Sequence, residues 1–361
     1  MSSDAPGNSN DLLLRAQSVK KHFPVEQSLI DRLLGGESEV VHAVDGVDLT
    51  LREEETVGVV GESGCGKSTL GRTLARLYEP TDGVIEIDGD DVTEAGGNRL
   101  QELRKDVQVI FQDPLSSLNP RKTVGEIVAR PLEAHDIATG DQKDERVDEL
   151  FREVGLDPAT RDRYPHEFSG GQRQRVGIAR ALAVEPKLVI ADEPVSALDV
   201  SVQAQIINLM KRLQQEYGLS YVFIAHDLSV VKHVSDRVAV MYLGKVVEQG
   251  PTDTIFRNPQ HPYTKSLLHA IPSVESAGGR RETLLQGNPP SPIDPPSGCP
   301  FHTRCPEYIG DTCENEVPEL EAVGDADGHR AACYWLDRTT EERAEQDPYP
   351  SSGLVSGTDD G

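Results

Sequence analysis

The sequence predicts an α/β protein whose core is a sheet of parallel strands separated by helices. The first observation is the apolar run 57–60, which is typical of a buried strand and is followed directly by a glycine-rich segment. The second is that similar short runs recur at 188–190, 221–224 and 237–241, far enough apart for helices to lie between them. At 361 residues the chain exceeds the usual length of one domain, so we expect a main unit plus an appendage.

Two further units are predicted around this core. Apolar-rich segments at 12–14, 40–44 and 47–51 predict a small antiparallel β subdomain at the N-terminal end of the chain. From about residue 113 to residue 167 the pattern becomes helical, with prolines at several positions, which predicts an α-helical subdomain.

The segment that follows strand 57–60 is the most informative part of the chain. Residues 61–69 match the pattern G-x-x-x-x-G-K-[ST]. The glycines let successive backbone N–H groups point at phosphate oxygens, and the helix that begins near Lys67 presents its positive end to the same anion. Lys67 adds a positive charge, and the Ser68 hydroxyl suits Mg²⁺. The sequence therefore predicts a P-loop NTPase core with a nucleotide site at Gly61, Ser63, Gly64, Cys65, Gly66, Lys67, Ser68 and Thr69.

Two carboxylates stand at the end of a second apolar strand. Asp192 and Glu193 directly follow the run 188–191. Parallel strands end at one edge of a sheet, so these side chains are expected to meet the phosphates held by the P-loop. We expect Asp192 to hold Mg²⁺ directly or through water, and Glu193 to orient or polarise the attacking water.

The remaining motifs resemble those of the ATP-binding cassette (ABC) ATPases and occur in the same order. They are Gln112 of the Q-loop, Ser169-Gly170-Gly171-Gln172 of the signature, Ser196 to Asp199 of the D-loop, and the switch histidine His226. An isolated histidine would more often be a core or surface residue, but His226 follows strand 221–224. The resemblance implies a RecA-like core that binds ATP and Mg²⁺, with catalytic Glu193, His226 and Gln112, and with Mg²⁺ near Ser68, Gln112 and Asp192.

The resemblance also implies a mechanism that one chain cannot complete. In such ATPases the signature of one subunit caps the γ-phosphate on the P-loop of the other, so that two ATP molecules lie at a dimer interface. Residues 169–172 and Asp199 are thereby implied to contact the nucleotide of a partner. Phe23 matches the aromatic residue that stacks on adenine in this family, and a role in the apolar core is the alternative.

Three stretches resemble the ATPases of oligopeptide and dipeptide importers, specifically their F-type subunit. They are residues 111–121, 258–268 and 290–306, and the resemblance extends from about residue 11 to residue 336. It implies an ABC ATPase domain at 11–258 and a C-terminal extension at 259–336. The polar or acidic ends 1–10 and 337–361 are predicted to be disordered. The loop 27–39 is additional to the shortest family members and has no assigned role.

The resemblance implies an energising subunit with several partners. These are a second ABC ATPase subunit in a heterodimer, two membrane permease subunits and an extracellular solute-binding protein. The alternative is a soluble ABC ATPase of translation or DNA repair, but such proteins carry two cassettes or long coiled coils, which this chain lacks. Peptides are the expected cargo, and nickel, sugars or other solutes remain alternatives.

Four of the five cysteines lie in the extension with the spacing C-x5-C-x7-C-x19-C, at Cys299, Cys305, Cys313 and Cys333. Four thiols in one segment of a cytoplasmic chain argue against disulfides and for a metal. The close cysteine pairs that zinc prefers are absent, and four thiolates also suit an iron–sulfur cluster. The importer resemblance implies a structural [4Fe-4S] cluster, while zinc, with His302 or His329 as substitute ligands, and unligated thiols stay open. Because the cysteines lie outside every nucleotide motif, we expect ATP hydrolysis largely to survive their loss.

The chain is strongly acidic, with 61 Asp and Glu against 36 Lys and Arg and a formal net charge of −25. This charge argues against nucleic-acid partners and against docking on anionic lipid. The composition resembles that of salt-adapted halophile proteins, and an ordinary acidic protein is the alternative. No run of 18 apolar residues and no signal peptide is present in the sequence, so we expect the cytoplasmic face of the membrane, reached through partners.

Overall fold

The computed structural model describes residues 12–25, 39–269, 287–324 and 328–337. The predicted disordered end 1–10, nearly all of 337–361 and nearly all of the loop 27–39 lie outside these residues. The α/β fold class is confirmed by two sheets, one antiparallel and one mainly parallel.

The smaller sheet is antiparallel and has the strand order β2-β1-β4-β5. Its strands are β1 (Leu12–Pro24), β2 (Val40–Arg52), β4 (Asp82–Ile87) and β5 (Asp90–Asp91). The segments 40–44 and 47–51, which the sequence suggests are two strands, form the single strand β2. Gly46, with φ of 80°, lies where the register with β1 shifts by one residue, so the break in the apolar pattern is a β-bulge.

The larger sheet has eight strands in the order β11-β12-β10-β9-β3-β8-β7-β6. They are β3 (Thr56–Val60), β6 (Val107–Ile110), β7 (Leu188–Asp192), β8 (Ser220–Ile224), β9 (Arg237–Tyr242), β10 (Lys245–Pro251), β11 (Glu321–Ala322) and β12 (Arg330–Ala331). The five strands from β9 to β6 are parallel, as the sequence predicts. The other three are antiparallel and were not predicted, and β11 and β12 come from the C-terminal extension.

Helices separate most of the strands along the chain, and three of them lie within 113–167, the segment that the sequence predicts to be helical. Their bounds are α1 (Lys67–Leu74), α2 (Gly97–Asp106), α3 (Pro114–Ser117), α4 (Val124–Ala134), α5 (Gly140–Glu153), α6 (Gly170–Leu182), α7 (Val200–Tyr217), α8 (Leu228–Val234), α9 (Thr252–Arg257), α10 (Pro262–His269) and α11 (Asp311–Asn315). Short 3₁₀ turns occupy Pro158–Thr160, Pro165–Glu167, His302–Arg304 and Tyr334–Asp337. Within the described residues, no helix is both long and apolar enough to cross a bilayer.

The extension shares the core of the cassette. Phe301 is completely buried, and its ring lies 5.2 Å from that of Tyr242 on β9 and 5.3 Å from that of Tyr263 on α10. Cys299 and Phe301 belong to the same apolar cluster as residues of the large sheet. The extension is therefore built onto the cassette by apolar packing, although its own sequence is rich in proline and polar residues.

Candidate nucleotide site

The P-loop turns sharply between β3 and α1. Gly66 precedes α1 with φ of 103°, and a Cβ atom at this position would lie 1.9 Å from the carbonyl oxygen of Ala43. A Cβ atom on Gly61 would lie 2.1 Å from the carbonyl oxygen of Met241. Any larger residue would collide with neighbouring backbone, so the loop path requires glycine at both positions.

The P-loop side chains contact the end of the neighbouring strand. The Lys67 ammonium donates to the carbonyl oxygens of Gly61 and Glu62 at 2.8 and 2.9 Å. The Ser68 hydroxyl donates to Oδ1 of Asp192 at 2.6 Å, which brings together two of the predicted Mg²⁺ ligands. Nη2 of Arg72 on α1 lies 3.5 Å from Oδ2 of Asp192, a contact that the sequence did not indicate.

The three residues predicted to be catalytic meet at one carboxylate oxygen. Nε2 of Gln112 donates to Oε2 of Glu193 at 3.1 Å, and Nδ1 of His226 lies 3.1 Å from the same oxygen. They line an open cleft together with Ser63, Asp113, Ser196 and Ala197. The cleft therefore joins the P-loop to the ends of β6, β7 and β8, as expected for parallel strands that end at one edge.

Ser196 and Ala197 of the D-loop line this cleft, whereas Ser169 of the signature and Asp199 of the D-loop lie at the starts of two helices. Ser169 accepts from the backbone N–H of Gln172 while Gln172 Oε1 accepts from that of Ser169, which forms a capping box at the start of α6. Asp199 caps α7 by accepting from the N–H of Val202 at 3.0 Å. Ser169, Gly170 and Gln172 are exposed. Among the residues that line the cleft in the described part of the chain, none belongs to 169–172.

Phe23 lies on the surface of the small sheet. Its ring makes an edge contact with Tyr78 at 5.5 Å, and the ammonium of Lys21 lies 4.9 Å from the ring centre. Because Phe23 is only partly buried, the structure does not support the alternative of a core residue. A partly exposed ring with a polar neighbour suits stacking against a flat ligand.

The four cysteines of the extension lie in one neighbourhood. The N–H of Cys299 donates to the carbonyl oxygen of Cys313 at 2.8 Å. Burial raises the pKa of Cys299 to about 11 and that of Cys333 to about 12. Burial also raises the pKa of Cys305, and the nearby charges of Cys333 and Cys299 add to this effect. The thiols are therefore shielded from water and close enough to influence one another.

The positions of the four cysteine sulfur atoms bear on whether they could bind one zinc ion. Four thiolates about 2.3 Å from one zinc ion lie only about 3.8 Å apart. Among the described residues, no three of the four cysteine sulfur atoms lie within 4.8 Å of one another. In an iron–sulfur cluster each thiolate can bind a different iron, which sets the sulfur atoms further apart. The four cysteines are therefore not arranged as the ligands of one zinc ion in this structure.

The two histidines proposed as substitute zinc ligands have other contacts. Nε2 of the buried His329 lies 2.8 Å from Oε1 of Glu248 on β10. Nδ1 of His302 lies 2.9 Å from the carbonyl oxygen of Cys299. His329 is thereby engaged by Glu248 in a buried hydrogen-bond contact that the sequence could not reveal.

Two family models match the chain. The ABC transporter model covers residues 44–196, and the model of the oligopeptide/dipeptide transporter C-terminal region covers residues 247–313. The first includes the P-loop, Asp192 at the end of β7 and Glu193 directly after it. The second includes Tyr263 and three of the four extension cysteines.

The chain is also similar to curated and solved proteins over most of its length. It is 50% identical to the oligopeptide transport ATP-binding protein AppF of Bacillus subtilis, over 90% of this chain and 98% of AppF. It is 51% identical to OppF of Salmonella typhimurium, over 90% of this chain and 97% of OppF. A dimeric ATP-binding cassette solved with ADP and Pi in a post-hydrolysis state has a TM-score of 0.57 and 30% identity, over 66% of this chain and 98% of that one.

Proposed function

The chain belongs to the ATP-binding subunits of oligopeptide and dipeptide ABC transporters, and we propose that it powers the import of peptides. It is an ATPase of this family. The similarity over 90% of the chain, including the C-terminal extension, carries the assignment to peptide transporters. The relatives AppF and OppF support the F-type assignment.

Uptake measurements test the cargo. Cells that lack this subunit should lose uptake of a labelled oligopeptide, and the wild-type gene should restore it. A Glu193→Gln gene is the matched control, because the protein is still made but should not turn over ATP. Loss of nickel uptake with unchanged peptide uptake would favour the alternative cargo.

We propose the following division of labour in the ATP site. The P-loop residues 61–69 hold the phosphates, and Lys67 contributes a positive charge to them. Ser68 and Asp192, which share a hydrogen bond of 2.6 Å, face Mg²⁺ together with Gln112. Glu193 polarises the attacking water, and His226 contacts the γ-phosphate. The shared contacts at the Glu193 carboxylate support this assignment.

We propose that the working unit is a heterodimer with a second ABC ATPase subunit. The signature residues 169–172, of which Ser169, Gly170 and Gln172 are exposed, would complete the site on the P-loop of that partner together with Asp199. Their absence from the chain's own cleft, among the described residues, supports this division. The dimer would attach to two permease subunits at the cytoplasmic face of the membrane, with a solute-binding protein outside. The division into a cassette at 11–258 and an extension at 259–336 belongs to the same proposal.

We further propose that Cys299, Cys305, Cys313 and Cys333 hold a structural [4Fe-4S] cluster. Cys299 and Cys313 are buried and Cys305 and Cys333 are partly buried, and a metal would stabilise the thiolate form that burial otherwise disfavours. The presence of four thiols in one neighbourhood, the ligand set of an iron–sulfur cluster, supports the cluster.

Anaerobic purification tests the cluster. The protein should be brown and contain about four irons per chain, as four cysteine thiolates imply. Cys305→Ser should remove the colour, whereas Cys65→Ser, in the P-loop, should retain it. Stoichiometric zinc without iron would overturn the cluster.

A further inference from the structure

Glu62 in the P-loop is held from two sides by residues of the extension. Its backbone N–H donates to the Tyr263 hydroxyl at 2.8 Å. Its carboxylate receives two hydrogen bonds from the Arg304 guanidinium, at 2.7 and 3.0 Å. Two parallel charge-assisted bonds are among the stronger and most directional contacts that side chains make.

Both extension residues are fixed by packing. Tyr263 is completely buried on α10, and its ring lies 4.7 Å from that of Tyr242. The Arg304 side chain is 5% exposed, and its Nη1 also lies 3.3 Å from the Tyr242 hydroxyl. Because both side chains are already held by packing, they lose little further conformational entropy when they contact Glu62.

The held residue lies next to the phosphate-binding groups. Glu62 stands between Gly61 and Ser63, and its carbonyl oxygen accepts from the Lys67 ammonium at 2.9 Å. A glycine-rich loop loses much conformational freedom when it is ordered around a ligand. A contact that orders the loop beforehand removes part of this cost from binding.

We propose that Tyr263 and Arg304 are positioning residues of the P-loop, so that the C-terminal extension preorganises the ATP site of its own chain. The proposal rests on the proposed role of residues 61–69. It also revises the expectation that the ATP site is independent of the cysteine segment, because Arg304 lies in the turn His302–Arg304, between Cys299 and Cys305.

ATP affinity of the full-length chain tests this proposal, measured by equilibrium binding of a fluorescent ATP analogue. Arg304→Gln should weaken ATP binding by about fivefold or more, because part of the binding free energy is then used to order the P-loop. Arg304→Lys, which keeps the charge but loses the paired geometry, should lie in between. Arg330→Gln, at an exposed position of the extension, is the matched control and should bind ATP as the wild type does.

Tyr263→Phe provides a second variant, since it removes only the oxygen that accepts from Glu62 and keeps the packed ring. We expect weaker ATP binding here too, with a KM that rises more than kcat falls in the assembled transporter. Glu62→Gln combined with Arg304→Gln should weaken binding by less than the product of the single effects, because both remove one contact.

Three outcomes separate the proposals. Variants with lower melting temperature but unchanged ATP affinity would give Arg304 and Tyr263 a structural role only and overturn the inference. Multiplicative effects in the double variant would also overturn it. A wild-type chain that binds no ATP would instead overturn the proposed nucleotide site itself.

Discussion

Glu193 owes its position to an unusual backbone as well as to its neighbours. It has φ of 47°, in the left-handed region that non-glycine residues rarely adopt. Its N–H donates to the carbonyl oxygen of Ile224 at 3.0 Å, which holds this turn directly after β7. The carboxylate is thereby directed towards Gln112 and His226. Strained conformations are concentrated at functional sites, and this one agrees with the proposed role of Glu193.

Glu193→Gln should separate ATP binding from hydrolysis. The amide keeps the shape of the side chain and leaves Asp192 unchanged, but it cannot polarise water as a carboxylate does. We expect turnover to fall by about 10²- to 10⁴-fold, with ATP binding retained. Lys67→Ala is the contrasting variant and should lose ATP binding itself. Wild-type turnover in Glu193→Gln, measured by phosphate release, would remove Glu193 from this role.

Phe23→Ala should weaken nucleotide binding through the base. Stacking of a base on an aromatic ring contributes about 1–3 kcal/mol, which corresponds to about fivefold or more in affinity. Phe23→Trp should retain binding, because it keeps an aromatic face. Titration with ATP and with inorganic triphosphate checks the cause, since only ATP binding should change. Equal losses for both ligands would contradict adenine stacking.

The sequence predicts those strands and loops that a contiguous run of residues marks. The P-loop at 61–69 and the strand preceding Asp192 are contiguous signals, and the structure has them where they were predicted. The motif order then allows His226 to be identified, although it lies 33 residues from Glu193. The contact of Arg304 with Glu62 joins residues 242 positions apart and carries no local signal. The same holds for β11 and β12, which are two residues long each.

A substitution at Phe301 tests how the extension is attached to the cassette. Its side chain is completely buried between Tyr242 and Tyr263, so Phe301→Ala removes apolar contacts and leaves a cavity. We expect the free energy of unfolding to fall by about 3–5 kcal/mol. Ile293→Ala, at a residue that is 37% exposed, is the control and should change it by about 0.5 kcal/mol or less. Chemical denaturation checks both, and equal stability of Phe301→Ala and wild type would contradict shared packing.

Across the molecule, the signature residues 169–172 lie apart from the cleft that contains Glu193. The cleft of Glu193 includes Ser63 of the P-loop, whereas Ser169 caps α6 with an exposed side chain. Val200, beside the D-loop, is 81% exposed. This separation agrees with the proposal that two cassettes face each other.

Ser169→Arg tests this arrangement. The isolated chain should bind ATP with wild-type affinity, because its own cleft is unchanged. In the assembled transporter we expect turnover to fall, since the arginine obstructs the site on the partner's P-loop. Thr123→Arg is a matched control, because Thr123 forms the same kind of capping box at α4. Both variants lose about 1 kcal/mol of helix capping, so a fall in turnover confined to Ser169→Arg reflects the interface. Impaired ATP binding by the isolated Ser169→Arg chain would contradict the division.

The net charge of −25 predicts that the stability of the fold depends on salt concentration. Excess carboxylates repel one another more strongly in the compact state than in the unfolded chain, and salt screens this repulsion. The screening length falls from about 10 Å at 0.1 M to about 3 Å at 1 M ionic strength, which is shorter than most distances between surface charges. We therefore expect the melting temperature to rise between 0.1 and about 2 M KCl, as in a protein adapted to high salt. Sucrose at the same water activity is the control, because it favours compact states without screening charge. A melting temperature that rises equally in both would show that solvent exclusion, rather than relief of charge repulsion, stabilises the fold.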